Sequence, residues 1–330
     1  MKEKLKKKID SWTRPSRKWT DIYLIAAVLS LVIVFGGDLL TSLFFRLVPF
    51  DKVFSPVTTS ESVLEFLSMY VVFAGIWIVF LLMCSIFKSN LPILKQLAPN
   101  KNGNNLKGIV AGLLLGFGAN GFCILMSVLL GDIHLTFYEF NPVLFFVFLF
   151  FVAIQSGAEE LVTRIFLYQK LRRRYKSPLV AIIGNSLLFT VLHLFNDGIT
   201  VISVLEIFAS GIIFSLFIYY YDSAWAAIMM HTAWNFTQNI AFGLPNSGMV
   251  SEYSLFKLEA ASAQNGLFYN VGFGVEGSVG SLIILGVIIG IIIIINRGKP
   301  EKNDVWADFI PKKRKKRKSK EEPQTADETA

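Results

Sequence analysis

Residues 143–174 read VLFFVFLFFVAIQSGAEELVTRIFLYQKLRRR. The first part of this stretch, 143–168, is long and apolar, with Glu159, Glu160 and Arg164 set inside it, and it runs into Lys170, Arg172, Arg173 and Arg174. A helix that crosses the roughly 30 Å hydrocarbon core needs about 20 largely apolar residues at about 1.5 Å per residue. Residues 143–168 meet that requirement. So do stretches near 22–45, 63–87, 107–130, 178–196, 200–221, 223–243 and 279–296. The fold class predicted is all-α, a polytopic membrane helical bundle of about eight transmembrane helices. Composition agrees: 53% of the 330 residues are hydrophobic and only 17% are charged, below the roughly 25% charged residues of soluble domains.

Basic residues set the predicted orientation, because short cytoplasmic loops accumulate Lys and Arg. Lys2 to Lys18 hold eight basic residues, the second connection carries Lys88, Lys95 and Lys101, the fourth carries Lys170 to Lys176, and the tail carries KKRKKRKSK at 312–320. Under alternating topology all of these fall on one side, while 131–142 has no Lys or Arg and 245–278 has only Lys257. Both termini are therefore predicted to be cytoplasmic. The net charge of +8 sits in segments beside spans, where it suits anionic lipid headgroups rather than nucleic acid.

The chain divides into a basic cytoplasmic segment at 1–21, scaffold helices within 22–142, a core of four helices at 143–243, an exported loop at 244–278, a last helix at 279–296, and a tail at 297–330, polybasic and then acidic, that is expected to be disordered. The first apolar stretch is too long for a signal peptide and lacks a cleavage pattern, so it is expected to be retained. Cys84 and Cys123 lie within spans as small apolar fillers. Loop 245–278 is expected to cap the bundle, to meet an envelope protein, or to act as a plain connector.

Ionisable groups at membrane depth usually face a cavity or a partner. Glu159 lies eleven residues before Lys170, roughly 16 Å along a helix. Glu160 and Arg164 are four apart and share a helix face, so an ion pair is expected between them, leaving Glu159 to face another neighbour. His193 follows Phe189 by four in the fifth span, and His231 precedes Asn235 by four in the seventh. Asp38, Glu65 and Glu206 lie near span ends and are read as structural, and His134 as a surface residue. Desolvation brings carboxylate and imidazole together toward neutral pH, where general acid–base chemistry operates, and an Asn amide can donate to an oxyanion. One expectation fits poorly. Counted from the basic side, His231 lies about eight residues in and His193 about fifteen, a depth difference of roughly 10 Å.

The EExxxR of 159–164, the FxxxH of 189–193 and the HxxxN of 231–235, in this order, resemble the motifs of the CAAX-protease and bacteriocin-processing (CPBP, Abi-type) family of intramembrane proteases. The resemblance covers about 143–243. It implies an endopeptidase in which Glu159 activates water with His193, His231 and Asn235 stabilise the tetrahedral intermediate, and Glu160 and Arg164 organise the site. It also implies a peptide substrate at the membrane, a prenylated C-terminus or a leader peptide. The Lys- and Ile-rich composition favours a bacterial plasma membrane.

Zinc stays open at this stage. Glu159, His193 and His231 could supply its ligands, but no HExxH is present, and a metal-free glutamate mechanism is preferred. Two other function classes use the same residues differently. A non-catalytic scaffold would bind an envelope enzyme through 245–278, and a proton-coupled transporter would relay protons through Glu and His but should show repeated halves, which the sequence lacks.

Overall fold

A computed structural model describes residues 2–307. The basic run 312–320 and the acidic end 321–330 lie outside the described residues.

Polar residues start the helices. Asn105 accepts from the amide of Gly108 and opens α6, Leu106–Leu129. Asn141 accepts from the amides of Val143 and Leu144, ahead of Pro142, and opens α7, Pro142–Glu160. Thr200, Ser223 and Ser278 do the same for α10 (Val201–Tyr221), α11 (Ala224–Asn235) and α12 (Val279–Ile295). Each satisfies amides that a helix N-terminus would otherwise leave bare, and proline at the first position gives up no hydrogen bond. The remaining helices are α1 (Lys2–Trp12), α2 (Tyr23–Leu47), α3 (Phe50–Phe54), α4 (Glu61–Val71), α5 (Ala74–Ile86), α8 (Tyr168–Arg174) and α9 (Pro178–Leu192). A π-helical stretch, Leu161–Leu167, joins α7 to α8, and another, Phe236–Ala241, follows α11.

This is an all-α polytopic membrane bundle. Among the described residues, five helical bodies are long and apolar enough to cross a membrane: Tyr23–Leu47, Glu61–Ile86, Leu106–Leu129, Pro142–Arg174 and Val201–Tyr221. Pro178–Leu192 and Val279–Ile295 are apolar but shorter. The stretch expected at 223–243 is different in kind, because nearly every side chain from Ala224 to Ile240 is buried inside the protein. Outward-facing side chains such as Leu24, Phe35, Leu114, Phe146 and Ile294 are apolar and exposed, which suits a hydrocarbon surrounding.

Close packing of α6 on α11 sets the centre of the bundle. A Cβ on Gly112 would collide with the carbonyl of Ala226, and one on Gly116 with the carbonyl of Met230. Small residues at these crossings let two backbones approach, and this one seats the helix that carries His231 and Asn235.

The face that carries the N-terminus is tied together by ions. Lys170 and Arg173 are almost fully buried, in a helix rather than in the basic loop expected there. Asp21, also buried, accepts from Arg173 Nε at 2.6 Å and lies 3.2 Å from Lys170 Nζ. Arg172 pairs with Glu301 and Arg14 with Asp304. Trp306 lies under the Arg173 guanidinium, 4.6 Å from ring centre to Cζ, and donates from Nε1 to the carbonyl of Gln169 at 2.8 Å. The start of the tail, expected to be disordered, is therefore docked through 301–306. A buried tryptophan with a satisfied indole N–H and paired charges offsets the ordering entropy that composition alone pointed to.

At the opposite face, 244–278 folds over the bundle. Its strand β2, Phe256–Leu258, runs antiparallel to β1, Leu135–Phe137, with Leu135 opposite Leu258, a small hairpin-like sheet the all-α reading did not include. Tyr253 Oη donates to the carbonyl of Asn141 at 3.0 Å.

Candidate active site

Glu159 and Glu160 end α7, where the helix changes to π geometry. Adjacent residues on a helix point about 100° apart, and the two carboxylates part accordingly. Glu160 turns into the protein: Arg164 Nη1 donates to its Oε1 at 3.1 Å and His231 Nδ1 lies 3.0 Å from the same atom. The Arg164 guanidinium is fully buried, 4.0 Å from the ring centre of Phe189 and 5.1 Å from that of Phe214. Two aromatic faces and a carboxylate thus replace its hydration.

Glu159 turns into a cavity of about 760 Å³. Its Oε1 accepts from Gln155 Nε2 at 2.6 Å. Its Oε2 is buried, has no hydrogen-bond partner among the described residues, and lies 3.6 Å from His231 Nε2. His193, His231 and Asn235 line the same cavity. Glu160 and Arg164 stand behind it.

The expected depth difference does not keep the histidines apart: His193, the C-cap residue of α9, and His231 line one cavity. His193 Nδ1 lies 2.8 Å from the carbonyl of Phe189. A carbonyl only accepts, so Nδ1 carries a proton, and in the neutral imidazole Nε2 then holds the lone pair. His231 stacks on Phe214 at 5.2 Å between centroids. Asn235 Nδ2 donates to Gln155 Oε1 at 3.2 Å and lies 3.4 Å from Ser156 Oγ.

Three cavity residues that the motif reading did not select complete the surroundings. Gln155 links Asn235 to Glu159, and its place one turn before Glu159 was a signal a helix-face reading could use. Glu276 and Asn246 come from 244–278, where no periodicity marks them. Glu276 Oε1 accepts from Trp234 Nε1 at 3.2 Å and from Asn246 Nδ2 at 2.9 Å, and its Oε2 accepts from the amide of Ser247 at 2.8 Å. Burial raises the Glu276 carboxyl above its ordinary value, against the pull of these hydrogen bonds. Glu206, read as a structural carboxylate, is buried, accepts from Ser281 Oγ at 3.2 Å and also lines the cavity.

The zinc ligand set considered above does not assemble. Among the described residues no three of His, Cys, Asp and Glu are grouped so that they could hold a metal ion.

No curated protein and no solved structure matches the chain. The stretch 139–237, which holds all seven motif residues, matches the family model described as Rce1-like, type II CAAX prenyl endopeptidase Rce1-like, in agreement with the resemblance of its motifs.

Proposed function

We propose that the chain is an intramembrane endopeptidase that hydrolyses a peptide bond with water activated by Glu159. The family match points to a CAAX-type membrane hydrolase. The observation that carries the finer reading is the separation of two adjacent carboxylates: Glu160 is committed to Arg164 and His231, while Glu159 Oε2 meets the cavity without a hydrogen-bond partner among the described residues.

In this reading Glu159 takes a proton from water, and the lone pair on His193 Nε2 holds the same water. The resulting hydroxide adds to the scissile carbonyl carbon. Asn235 donates to the oxyanion, which a water-excluded site favours strongly, and His231 joins it from Nε2 when both of its ring nitrogens carry protons. Glu159 then returns its proton to the leaving amide nitrogen as the C–N bond breaks. Glu160 and Arg164 hold α7 and His231 in register. No step needs a metal.

The substrate is a peptide that approaches from the bilayer. Leu31, Val34, Phe35, Phe73, Phe189 and Phe195 make much of the cavity wall apolar, which suits a lipidated or membrane-inserted segment, a prenylated C-terminus or a leader peptide. The Lys- and Ile-rich composition supports a bacterial plasma membrane as the location, with the basic face toward anionic headgroups.

The test is Glu159→Ala and His193→Ala in full-length protein in its native membrane. Comparison of the membrane peptidome with that of a deletion strain should show loss of the same cleavage products in both variants at wild-type protein levels. If a variant without Glu159 restores every product and phenotype, the protease reading fails and a scaffold takes its place.

A further inference from the structure

Four amide or carboxylate side chains connect the capping segment to Glu159. Asn246 Nδ2 lies 2.9 Å from Glu276 Oε1 and 3.3 Å from Asn235 Oδ1. Asn235 Nδ2 lies 3.2 Å from Gln155 Oε1, and Gln155 Nε2 lies 2.6 Å from Glu159 Oε1. An Asn or Gln amide can be turned either way, and its neighbours decide which.

With Glu276 ionised, the neighbours leave one solution. Glu276 Oε1 also receives the indole N–H of Trp234, and Oε2 receives the backbone N–H of Ser247. Both of those groups can only donate, so both oxygens act as acceptors. Asn246 must then present its NH2 to Glu276, and the second hydrogen of that NH2 meets Asn235 Oδ1. With its oxygen taken, Asn235 must present NH2 toward Gln155. Gln155, accepting there, must present its own NH2 to Glu159. Reversal of any one amide would face oxygen with oxygen inside a buried network, at the full cost of an unmet polar group.

We infer that Glu276 and Asn246 are positioning residues for the reaction, which set the amide direction of Asn235 and, through Gln155, the seat of the Glu159 carboxylate. The inference rests on the protease reading above. Both residues lie outside the stretch 139–237 that matches the family. They come from a segment that the sequence presents as a loop, so the capping segment acts on the site through Asn235 and Gln155. A donor aimed in advance at a developing oxyanion contributes because no reorganisation is needed when charge forms.

The experiment uses full-length protein in lipid nanodiscs, with Glu276→Gln and Asn246→Ala as variants. Tyr269→Phe serves as control, a buried residue of the same segment whose hydroxyl makes no hydrogen bond among the described residues. Two readouts are taken. The first is the side-chain amide resonance of Asn235 in protein labelled with 15N-asparagine, identified by its disappearance in Asn235→Asp. The second is cleavage of a farnesylated, internally quenched peptide ending in a CAAX sequence.

In both variants the Asn235 resonance is expected to move and kcat to fall roughly 10- to 100-fold, short of the roughly 100- to 1,000-fold cost of losing an oxyanion donor outright, with KM unchanged. The control should keep both at wild type. Should one variant fail to accumulate, the other carries the comparison, and if the wild type does not cut this peptide the resonance decides alone. An unmoved resonance overturns the inference, and so does a moved resonance with wild-type kcat. Cleavage that survives Glu159→Ala would instead sink the protease reading and leave the resonance result standing.

Discussion

His231 Nδ1 lies 3.0 Å from Glu160 Oε1, the oxygen that also takes the Arg164 guanidinium at 3.1 Å. One carboxylate oxygen thereby joins the helix of the EExxxR motif to the helix of the HxxxN motif. In the proposed mechanism Glu160 accordingly organises these two helices, and Glu159 is the base.

Arg164→Ala should therefore destabilise the protein strongly. It strands Glu160 in a buried setting and removes the cation from the faces of Phe189 and Phe214. Removal of one partner of a buried pair costs about 3–5 kcal/mol. Thermal unfolding in detergent should show a much lower Tm, whereas Glu159→Ala should leave Tm near wild type and remove activity only. Equal Tm losses in the two variants would contradict the division of labour drawn here.

Gly157 lies two residues before Glu159, where the Trp77 ring packs against α7. A Cβ there would sit 2.5 Å from Trp77 Cζ2, and Trp77 is held by its indole N–H to the carbonyl of Ile154 at 2.9 Å. Gly157→Ala should push α7 from α5, shift Trp77 fluorescence and lower kcat about tenfold or more, since small misplacements of catalytic groups are costly. Wild-type turnover together with unchanged fluorescence would show that the contact relaxes freely.

Docking of the 301–306 segment should weaken in acid. Burial raises the Asp304 carboxyl, but the hydrogen bonds and charge of Arg14 outweigh it, and the group sits below its ordinary value of 3.8. A carboxylate with a depressed folded-state pKa stabilises the fold above its unfolded value, and that contribution is lost as pH falls through the folded one. Limited proteolysis near 299–307 should accelerate below about pH 4 in the wild type, while Asp304→Asn should be cut readily at every pH. A pH-independent wild type would remove this pair from the docking.

Cleavage should withstand strict chelation, because among the described residues no three of His, Cys, Asp and Glu are grouped to hold a metal ion. Loss of activity on chelation, restored by zinc and by no other added ion, would overturn the metal-free mechanism.

Membrane embedding, the run of apolar helices and the three motifs were legible in the linear sequence, because the hydrocarbon core imposes a length and a polarity on each span separately. The Glu160–Arg164 pair was legible for a related reason: residues four apart meet on any helix. Only the tertiary structure decided that α11 is enclosed rather than exposed to lipid, since Gly112 and Gly116 of a distant helix let it approach. It also decided that His193 and His231 line one cavity, that buried Lys170 and Arg173 pair with Asp21, and that Glu276 reaches Asn235 through Asn246. These contacts join residues far apart in sequence, and neither hydropathy nor helical period carries information about such pairs.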